Sequence, residues 1–188
     1  MTSRGQSGFT STNDHVVHSW AMFRLLRRSV LSGSGEEFER TFVSTPGAVA
    51  CVAITDDGHV VLVRQYRATL DHLIIELPAG MRDIEGEAPE MTARRELKEE
   101  TGFDAQLMQR LGTFLSSPGV TDSSVEVFLA NKLQSGESEP HGPEEHSMEV
   151  LLVPFHEALL MIDDGRITDG KTAYGLLLVA RQFPHLVG

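Results

Sequence analysis

GMRDIEGEAPEMTARRELKEETGF, the stretch from Gly80 to Phe103, carries most of the information about the fold. Pro89 suits the first turn of a helix, because the N–H that proline lacks has no helical partner there. Gly102 suits the end of that helix, because glycine readily adopts the left-handed conformation that follows many helices. Ala93 and Leu97 lie on one side and are available for packing. The stretch therefore predicts a short helix that begins near Pro89 and ends at Gly102.

Three glutamates share one face of this predicted helix. Glu96, Glu99 and Glu100 stand at positions i, i+3 and i+4, where like charges repel each other and lower helix stability. A solvated charged face is one interpretation, since Arg95 and Lys98 supply some counter-charge. A divalent metal site is the other, because hard cations such as Mg²⁺ take oxygen ligands from carboxylates and from substrate phosphates. The spacing alone leaves both interpretations open.

The same stretch resembles the Nudix box, G-x5-E-x7-R-E-U-x-E-E-x-G-U, in which U is a bulky apolar residue. Every fixed position from Glu87 to Phe103 matches, whereas six residues rather than five separate Gly80 from Glu87. We interpret the extra residue as an insertion in a surface loop, where insertions cost little. The resemblance implies an α/β (α+β) fold in which a mixed β-sheet lies between helices, an α/β/α sandwich.

The resemblance also implies a metal site and its ligands. Mg²⁺, with Mn²⁺ as a possible substitute, would bind the carboxylates of Glu96, Glu99 and Glu100 and the backbone carbonyl of Ala79. Arg95 stands four residues before Glu99 and is expected to orient that carboxylate rather than to contact substrate. Glu99 and Arg95 are therefore also expected among the catalytic residues.

Two further segments resemble the ADP-ribose pyrophosphatase branch of the Nudix family. These are VRQYR, residues 63–67, and IIELPAG, residues 74–80, which is predicted to form a single strand. A proline sixteen positions after Gly102, Pro118, is a further marker of this branch, although Ser116–Gly119 is also a typical turn sequence. The residues that the resemblance places in the substrate site are Arg67, Glu76, Pro118, Gly119 and Trp20.

Arg67 and Glu76 have physical reasons to be considered. A guanidinium suits a phosphate because it presents a planar fork of hydrogen-bond donors, although a lone arginine at a strand end is usually solvated. Glu76 stands in an otherwise apolar strand, which predicts that its carboxylate has a partner.

The resemblance to this branch also implies that a loop downstream of the box supplies the glutamate that activates or positions the attacking water. Glu144 and Glu145 are the candidates, and Glu145 is preferred. Histidine is the alternative base, since its unperturbed pKa lies near neutrality, and His141 and His146 lie in the same segment.

The N-terminal region divides into a tail and an arm. Residues 1–14 are rich in Ser, Thr and Gly and are expected to be disordered. The pattern of residues 15–45 predicts a β-hairpin arm with its turn at Ser32–Gly35. Residues 46–188 are predicted to form the Nudix domain. The resemblance implies that such an arm joins a homodimer partner and that Trp20 stacks on adenine; packing in the core is the alternative.

The composition limits the function classes. The formal net charge is −11, with 27 acidic and 16 basic residues, so binding to nucleic acid or to an anionic membrane is not expected. Cys51 is the only cysteine, which excludes an intramolecular disulfide and suits a reducing cytoplasm. Its position in an apolar run predicts a buried core thiol.

The C-terminal part predicts two helices, residues 154–162 and 171–183. The apolar positions of the first helix are Leu159, Leu160 and Ile162. The residues of the second helix that are expected to face the core are Leu176, Leu177, Leu178 and Ala180. Taken together, the patterns predict Mg²⁺-dependent hydrolysis of ADP-ribose to AMP and ribose 5-phosphate. The alternatives are hydrolysis of another nucleoside diphosphate sugar or a dinucleotide, and a non-catalytic module that senses a nucleotide.

Overall fold

A computed structural model of the chain describes residues 8–138 and 147–186. The described residues form two compact units. The first contains the chain up to Pro46 together with Ser117–Ser123, and the second contains Gly47–Ser116 and the chain from Ser124 onward.

The first unit is built on a three-stranded antiparallel sheet. Its strands are β1 (Phe9–Trp20), β2 (Phe23–Ser32) and β3 (Glu37–Ser44), in the order β1-β2-β3. The predicted hairpin turn joins β2 to β3, where the N–H of Gly35 donates to the carbonyl of Ser32 at 3.0 Å.

The first unit differs from the prediction at its N-terminus. Residues 9–14, predicted to be a disordered tail, form the first half of β1. The backbone of this segment pairs with β2, and the guanidinium of Arg28 on β2 donates to both carboxylate oxygens of Asp14 at 2.7 Å. Pairing with β2 therefore orders this segment, although its polar composition favours disorder. Residues 1–7 lie outside the described part of the chain.

The second unit is a mixed sheet with helices on both sides. Its elements are β4 (Ala48–Ile54), β5 (His59–Arg67), β6 (His72–Glu76), β7 (Ala79–Met81), α1 (Pro89–Thr101), β8 (Phe103–Leu115), β9 (Ser124–Ser135), β10 (Glu149–Pro154), α2 (Phe155–Asp163), α3 (Gly170–Gln182) and a 3₁₀ turn, Pro184–Leu186. The main strand order is β10-β5-β4-β9-β8, with β6 paired to β5 and β7 to β4. The β4–β9 pair is parallel and the other pairs are antiparallel.

Strand β4 lies at the centre of this sheet and is buried on both faces. Successive residues of a strand point to opposite faces, so Val52 packs with α2 and α3 while Cys51 packs with Leu97 of α1. This two-sided burial explains why β4 has no polar residue. The helix–sheet–helix arrangement confirms the predicted fold class, and the buried position of Cys51 confirms the predicted core thiol.

Helix α1 begins and ends where the sequence predicted. Gly102 follows it with a left-handed φ of 74°, and its N–H donates to the carbonyl of Lys98 at 2.8 Å. A side chain at Gly102 would also meet the carbonyl oxygen of Gly136 at 2.7 Å. Glycine is therefore required at this position both by the backbone conformation and by the close approach of another segment.

The prediction of one strand over residues 74–80 is wrong, because β6 ends at Glu76 and β7 begins at Ala79. Pro78 has no N–H to contribute to a ladder. The N–H of Leu77 donates to the hydroxyl of Thr172 at 2.8 Å, and the N–H of Ala79 donates to the carboxylate of Glu100 at 3.0 Å. Side chains thus satisfy the backbone while the chain leaves β5 and joins β4.

The two C-terminal helices agree with the prediction to within one residue at each end, but the assignment of Leu177 to the core is wrong. Leu160 of α2 and Leu177 of α3 are exposed, whereas Met161 and Leu176 are buried. Adjacent helical residues are separated by about 100° around the axis, so consecutive leucines cannot all face the sheet. No helix in the described part of the chain is long and apolar enough to span a bilayer.

Candidate active site

The carboxylate of Glu96 lies directly against the backbone of Gly80. A Cβ atom at Gly80 would stand 2.0 Å from the carboxyl carbon of Glu96 and 2.3 Å from both of its oxygens. Gly80 does not have a left-handed φ, so the close approach of this carboxylate is what requires glycine here. The first glycine of the box and the first of the three candidate ligand glutamates thereby come together across β7 and α1.

Arg95 connects the carboxylates around this contact. One of its terminal nitrogens, Nη1, donates to Glu96 at 2.9 Å and to Glu99 at 3.1 Å. The other, Nη2, donates to Glu87 and to Asp83, each at 3.2 Å. Arg95 therefore contacts Glu99 and three further acidic residues, all on the same side of α1.

The environment of Glu96 disfavours its negative charge. Burial raises the pKa of Glu96 to about 7, and the positive charge of Arg95 opposes this shift only in part. The hydrogen bond from Arg95 lowers the pKa of Glu87, whose side chain is partly buried. A further positive charge beside Glu96 would stabilise its carboxylate, and a divalent cation supplies such a charge.

Glu100 is buried and anchors the start of β7. One of its carboxylate oxygens accepts the N–H of Ala79 at 3.0 Å. Glu100 and Ala79, which contribute two of the four predicted ligand groups, are therefore in direct contact. Since Glu96 rests on the next residue of β7, Gly80, these donors gather where α1 packs on that strand.

This donor set fits a hard divalent cation. Carboxylates and a backbone carbonyl are oxygen ligands of the type that Mg²⁺ takes, together with water and substrate phosphates. Among the described residues, no three His, Cys, Asp or Glu side chains already form a complete ligand group. Hydrogen bonds from Arg95 to both Glu96 and Glu99 occupy part of the carboxylate surface.

Glu76 and Arg67 form an ion pair at the ends of β6 and β5. One Glu76 oxygen accepts from Arg67 Nε at 2.9 Å and lies 2.7 Å from Nη2, and the Glu76 side chain is 4% exposed. The expectation that Glu76 has a partner is confirmed. The Arg67 side chain remains 38% exposed, so solvent and a ligand can reach it.

Sequence reasoning missed Lys171, the second partner of Glu76. Its ammonium lies 2.5 Å from the other Glu76 oxygen and 3.1 Å from Asp169, the N-cap residue of α3. A signal was available, because a cation in the first turn of a helix is unfavourable with the helix dipole. A lysine at that position therefore suggests a nearby acidic partner, although it cannot identify which one.

The other expected substrate residues belong to the first unit. Trp20 is 43% exposed and stacks on His18 with ring centroids 5.7 Å apart, so the alternative of core packing is wrong. Pro118 and Gly119 line a cavity of about 420 Å³ together with Arg28 and Phe42. The candidate bases Glu144 and Glu145, and the alternatives His141 and His146, lie outside the described residues.

Comparison with known proteins identifies the family. The family model of the NUDIX domain matches residues 44–182, which is well over half of the chain. The chain belongs to the Nudix family. A crystal structure titled "ADP compounds hydrolase" superimposes with a TM-score of 0.83 over 97% of this chain and 98% of that one. At 23% sequence identity this likeness establishes the Nudix fold.

Two relatives share much more sequence with this Nudix protein. An ADP-ribose pyrophosphatase of Bacillus subtilis is 41% identical over 143 residues, covering 76% of this chain and 77% of the relative. An ADP-ribose pyrophosphatase of Mycobacterium tuberculosis is 38% identical over 172 residues, covering 91% of this chain and 83% of the relative. Both relatives thus align over most of their own length.

Proposed function

We propose that this Nudix protein hydrolyses the diphosphate of ADP-ribose to AMP and ribose 5-phosphate in a Mg²⁺-dependent reaction. The observation that supports the proposal is that Glu96 rests on Gly80 and Glu100 accepts the N–H of Ala79, while Arg95 donates to both Glu96 and Glu99. The choice of ADP-ribose is supported by the two relatives named for that activity.

The residues that would hold Mg²⁺, or Mn²⁺ in its place, are Glu96, Glu99, Glu100 and the carbonyl of Ala79. When bound, such an ion neutralises charge on diphosphate oxygens and lowers the pKa of a water molecule. Glu100 anchors the backbone at Ala79 through the hydrogen bond to its N–H, and this keeps β7 in place beside α1.

Arg95 orients the carboxylates in this scheme and does not touch substrate. Its hydrogen bonds to Glu96 and Glu99 fix the positions of both groups relative to α1. An arginine that donates to several carboxylates at once also limits their mutual repulsion. Substrate and metal would have to compete with these bonds, so Arg95 sets how readily the carboxylates become available.

Arg67 is the proposed contact to the substrate in the second unit. Its Nε and Nη2 atoms contact Glu76, so the two N–H groups of Nη1 and the second N–H of Nη2 remain for an anionic oxygen. Glu76 contributes to binding by fixing the guanidinium, since its own buried carboxylate would repel a diphosphate.

Glu145, or else Glu144, is proposed to position the attacking water. Replacing each by glutamine tests this assignment, because only the residue that acts on water should be needed for turnover. Trp20, Pro118 and Gly119 are proposed to contact the nucleoside part of the substrate. The exposed ring of Trp20 and the cavity beside Pro118 support that proposal.

The protein is further proposed to act as a cytoplasmic homodimer. The free thiol of Cys51 suits a reducing compartment. Every residue of β1 is exposed, and an edge strand with that much exposed apolar surface is suited to being covered by a second copy.

A substrate panel tests the proposed function. ADP-ribose, other nucleoside diphosphate sugars, NADH, diadenosine polyphosphates and capped RNA are each incubated with protein and Mg²⁺ or with EDTA. Preferred cleavage of ADP-ribose to AMP that EDTA abolishes is the expected result. Preferred cleavage of another diphosphate would show that ADP-ribose is not the main substrate. Binding without cleavage of any compound would indicate a sensor.

A further inference from the structure

The first turn of α3 is tied to the end of β6 through the side chain of Lys171. Its ammonium donates to Glu76 at 2.5 Å, although the two residues are 95 positions apart in the chain. The Lys171 side chain is only 14% exposed. A cation near a helix N-terminus is unfavourable with the helix dipole, and burying the ammonium adds a desolvation cost. The contact with Glu76 must offset both of these free-energy costs.

The two oxygens of Glu76 are divided between two cations. Lys171 donates to Oε1, while Arg67 donates to Oε2 through Nε at 2.9 Å and brings Nη2 to 2.7 Å from the same oxygen in an ion pair. A carboxylate and a guanidinium left to themselves commonly pair through two parallel bonds, one to each oxygen. Each carboxylate oxygen can accept two bonds, so Lys171 does not block Oε1, but its ammonium competes for that oxygen and favours the confinement of Arg67 to Oε2.

This confinement matters for the donors that Arg67 can offer. Among the described residues, Nη1 of Arg67 makes no hydrogen bond, and the side chain is partly exposed. The direction of Nη1 follows from the plane of the guanidinium, and that plane is set by the shared oxygen of Glu76. A shift of Arg67 toward Oε1 would carry Nη1 with it.

We propose that Lys171 is a positioning residue, which through Glu76 fixes the guanidinium of Arg67 for an anionic oxygen of the substrate. The proposal rests on the function proposed above for Arg67. Lys171 itself contacts neither substrate nor metal in this scheme, since its ammonium is committed to Glu76 and Asp169.

A purely structural role, attachment of α3 to the sheet, is the competing explanation. Other contacts already perform that task. The hydroxyl of Thr172 accepts the N–H of Leu77 at 2.8 Å, and Leu176 and Val179 of α3 are fully buried in the core. Loss of Lys171 is therefore expected to leave α3 in place.

Steady-state kinetics with ADP-ribose at saturating Mg²⁺ test the proposal in three variants. Lys171→Met removes the ammonium but keeps most of the side-chain volume, Lys171→Arg keeps a cation, and Arg181→Met removes an exposed cation from the same helix as a control. We expect Lys171→Met to lower kcat/KM roughly 10- to 100-fold, mainly through KM. Lys171→Arg should recover part of this loss, and Arg181→Met should match the wild type.

A double-variant cycle separates positioning from a general loss of structure. If Lys171 acts through Arg67, adding Lys171→Met to Arg67→Lys should raise KM little further, because the group that Lys171 positions is already altered. Two fully additive effects on KM would overturn the proposal. So would wild-type kinetics in folded Lys171→Met.

The Nε–Hε signal of Arg67 in ¹H–¹⁵N spectra provides a readout that needs no activity. The signal is assigned by its loss in Arg67→Lys; it should shift in Lys171→Met and stay unchanged in Arg181→Met. An unchanged signal in Lys171→Met contradicts the proposal. Absence of ADP-ribose cleavage by the wild type would defeat the proposed function while leaving this spectral test valid.

If Lys171→Met does not fold, Lys171→Gln takes its place, because an amide can still donate to Glu76 without the charge. Thermal unfolding followed by circular dichroism monitors the fold of each variant. Failure of both neutral variants to fold would assign Lys171 to folding and overturn the positioning role.

Discussion

At Gly80, the absence of a side chain leaves room for the carboxylate of Glu96. The two residues are separated by the whole loop that joins β7 to α1, yet a Cβ on one would overlap the carboxyl group of the other. A box glycine can be required for a turn, for backbone freedom or for space. Here the requirement is space, and it links the glycine directly to a metal-ligand candidate.

Gly80→Ala is therefore expected to displace Glu96 and to lower kcat by about 100-fold, the effect of a displacement of about 1 Å in a catalytic group. The fold should persist, because Glu96 can turn toward solvent while Ala93 and Leu97 keep α1 on the sheet. Turnover of ADP-ribose and the midpoint of thermal unfolding are the two measurements. Wild-type turnover in a folded Gly80→Ala protein would show that the position of Glu96 is unimportant.

At the scale of elements, the segment between β6 and β7 depends on side chains from two helices. Thr172 of α3 accepts the N–H of Leu77, and Glu100 of α1 accepts the N–H of Ala79. Neither N–H has a ladder partner, since the chain changes strands at Pro78. The hydroxyl of Thr172 in turn donates to Asp169 at 2.6 Å, which joins the N-cap of α3 to the same network.

Thr172→Val keeps the shape of this buried side chain and removes the acceptor. The N–H of Leu77 would then be buried without a partner, and the expected loss is about 1–3 kcal/mol in the free energy of unfolding. Thr172→Ser retains the hydroxyl and is the matched control. Urea unfolding of both variants measures the difference, and equal stability of the Val and Ser variants would show that the hydroxyl bond is not needed.

These elements also show which structure can be predicted from sequence. Helix α1 was predictable because its signals, Pro89 and Gly102, act on their own backbone. The break between β6 and β7 had a local signal in Pro78, which cannot donate to a ladder. The residue that accepts the N–H of Leu77 and the role of Lys171 were not predictable in the same way, because each depends on a partner far along the chain. The box residues were found by their pattern, whereas their mutual distances follow only from the packing of α1 on β7.

At the scale of the whole molecule, the net charge of −11 would repel an anionic substrate, but the local charges at the site differ from this average. The cations Arg67, Arg95 and Lys171 sit among the acidic residues of the site. A bound divalent ion would add to these charges where the diphosphate binds. The net charge therefore disfavours polyanionic partners over the surface as a whole, but it does not exclude phosphate binding at the candidate active site.

The exposed strand β1 leads to a prediction about assembly. A homodimer that covers β1 should have twice the chain mass by light scattering at micromolar concentration. Trp20 is the only tryptophan and lies at the end of β1, so its fluorescence should become less accessible to acrylamide as the dimer forms. A monomer throughout this range, with constant quenching, would remove the proposed dimer.

The comparison of wild type with Glu100→Gln, using ADP-ribose in Mg²⁺ and in EDTA, tests the central claim most directly. Glutamine can still accept the N–H of Ala79, so the fold should remain, while the loss of one ligand charge should lower kcat by roughly 100- to 1,000-fold. Glu90→Gln, an exposed change in the first turn of α1, is the control and should keep normal turnover. The account predicts that EDTA abolishes release of AMP and that Glu100→Gln lowers its rate by the factor given; undiminished release in either case would contradict it.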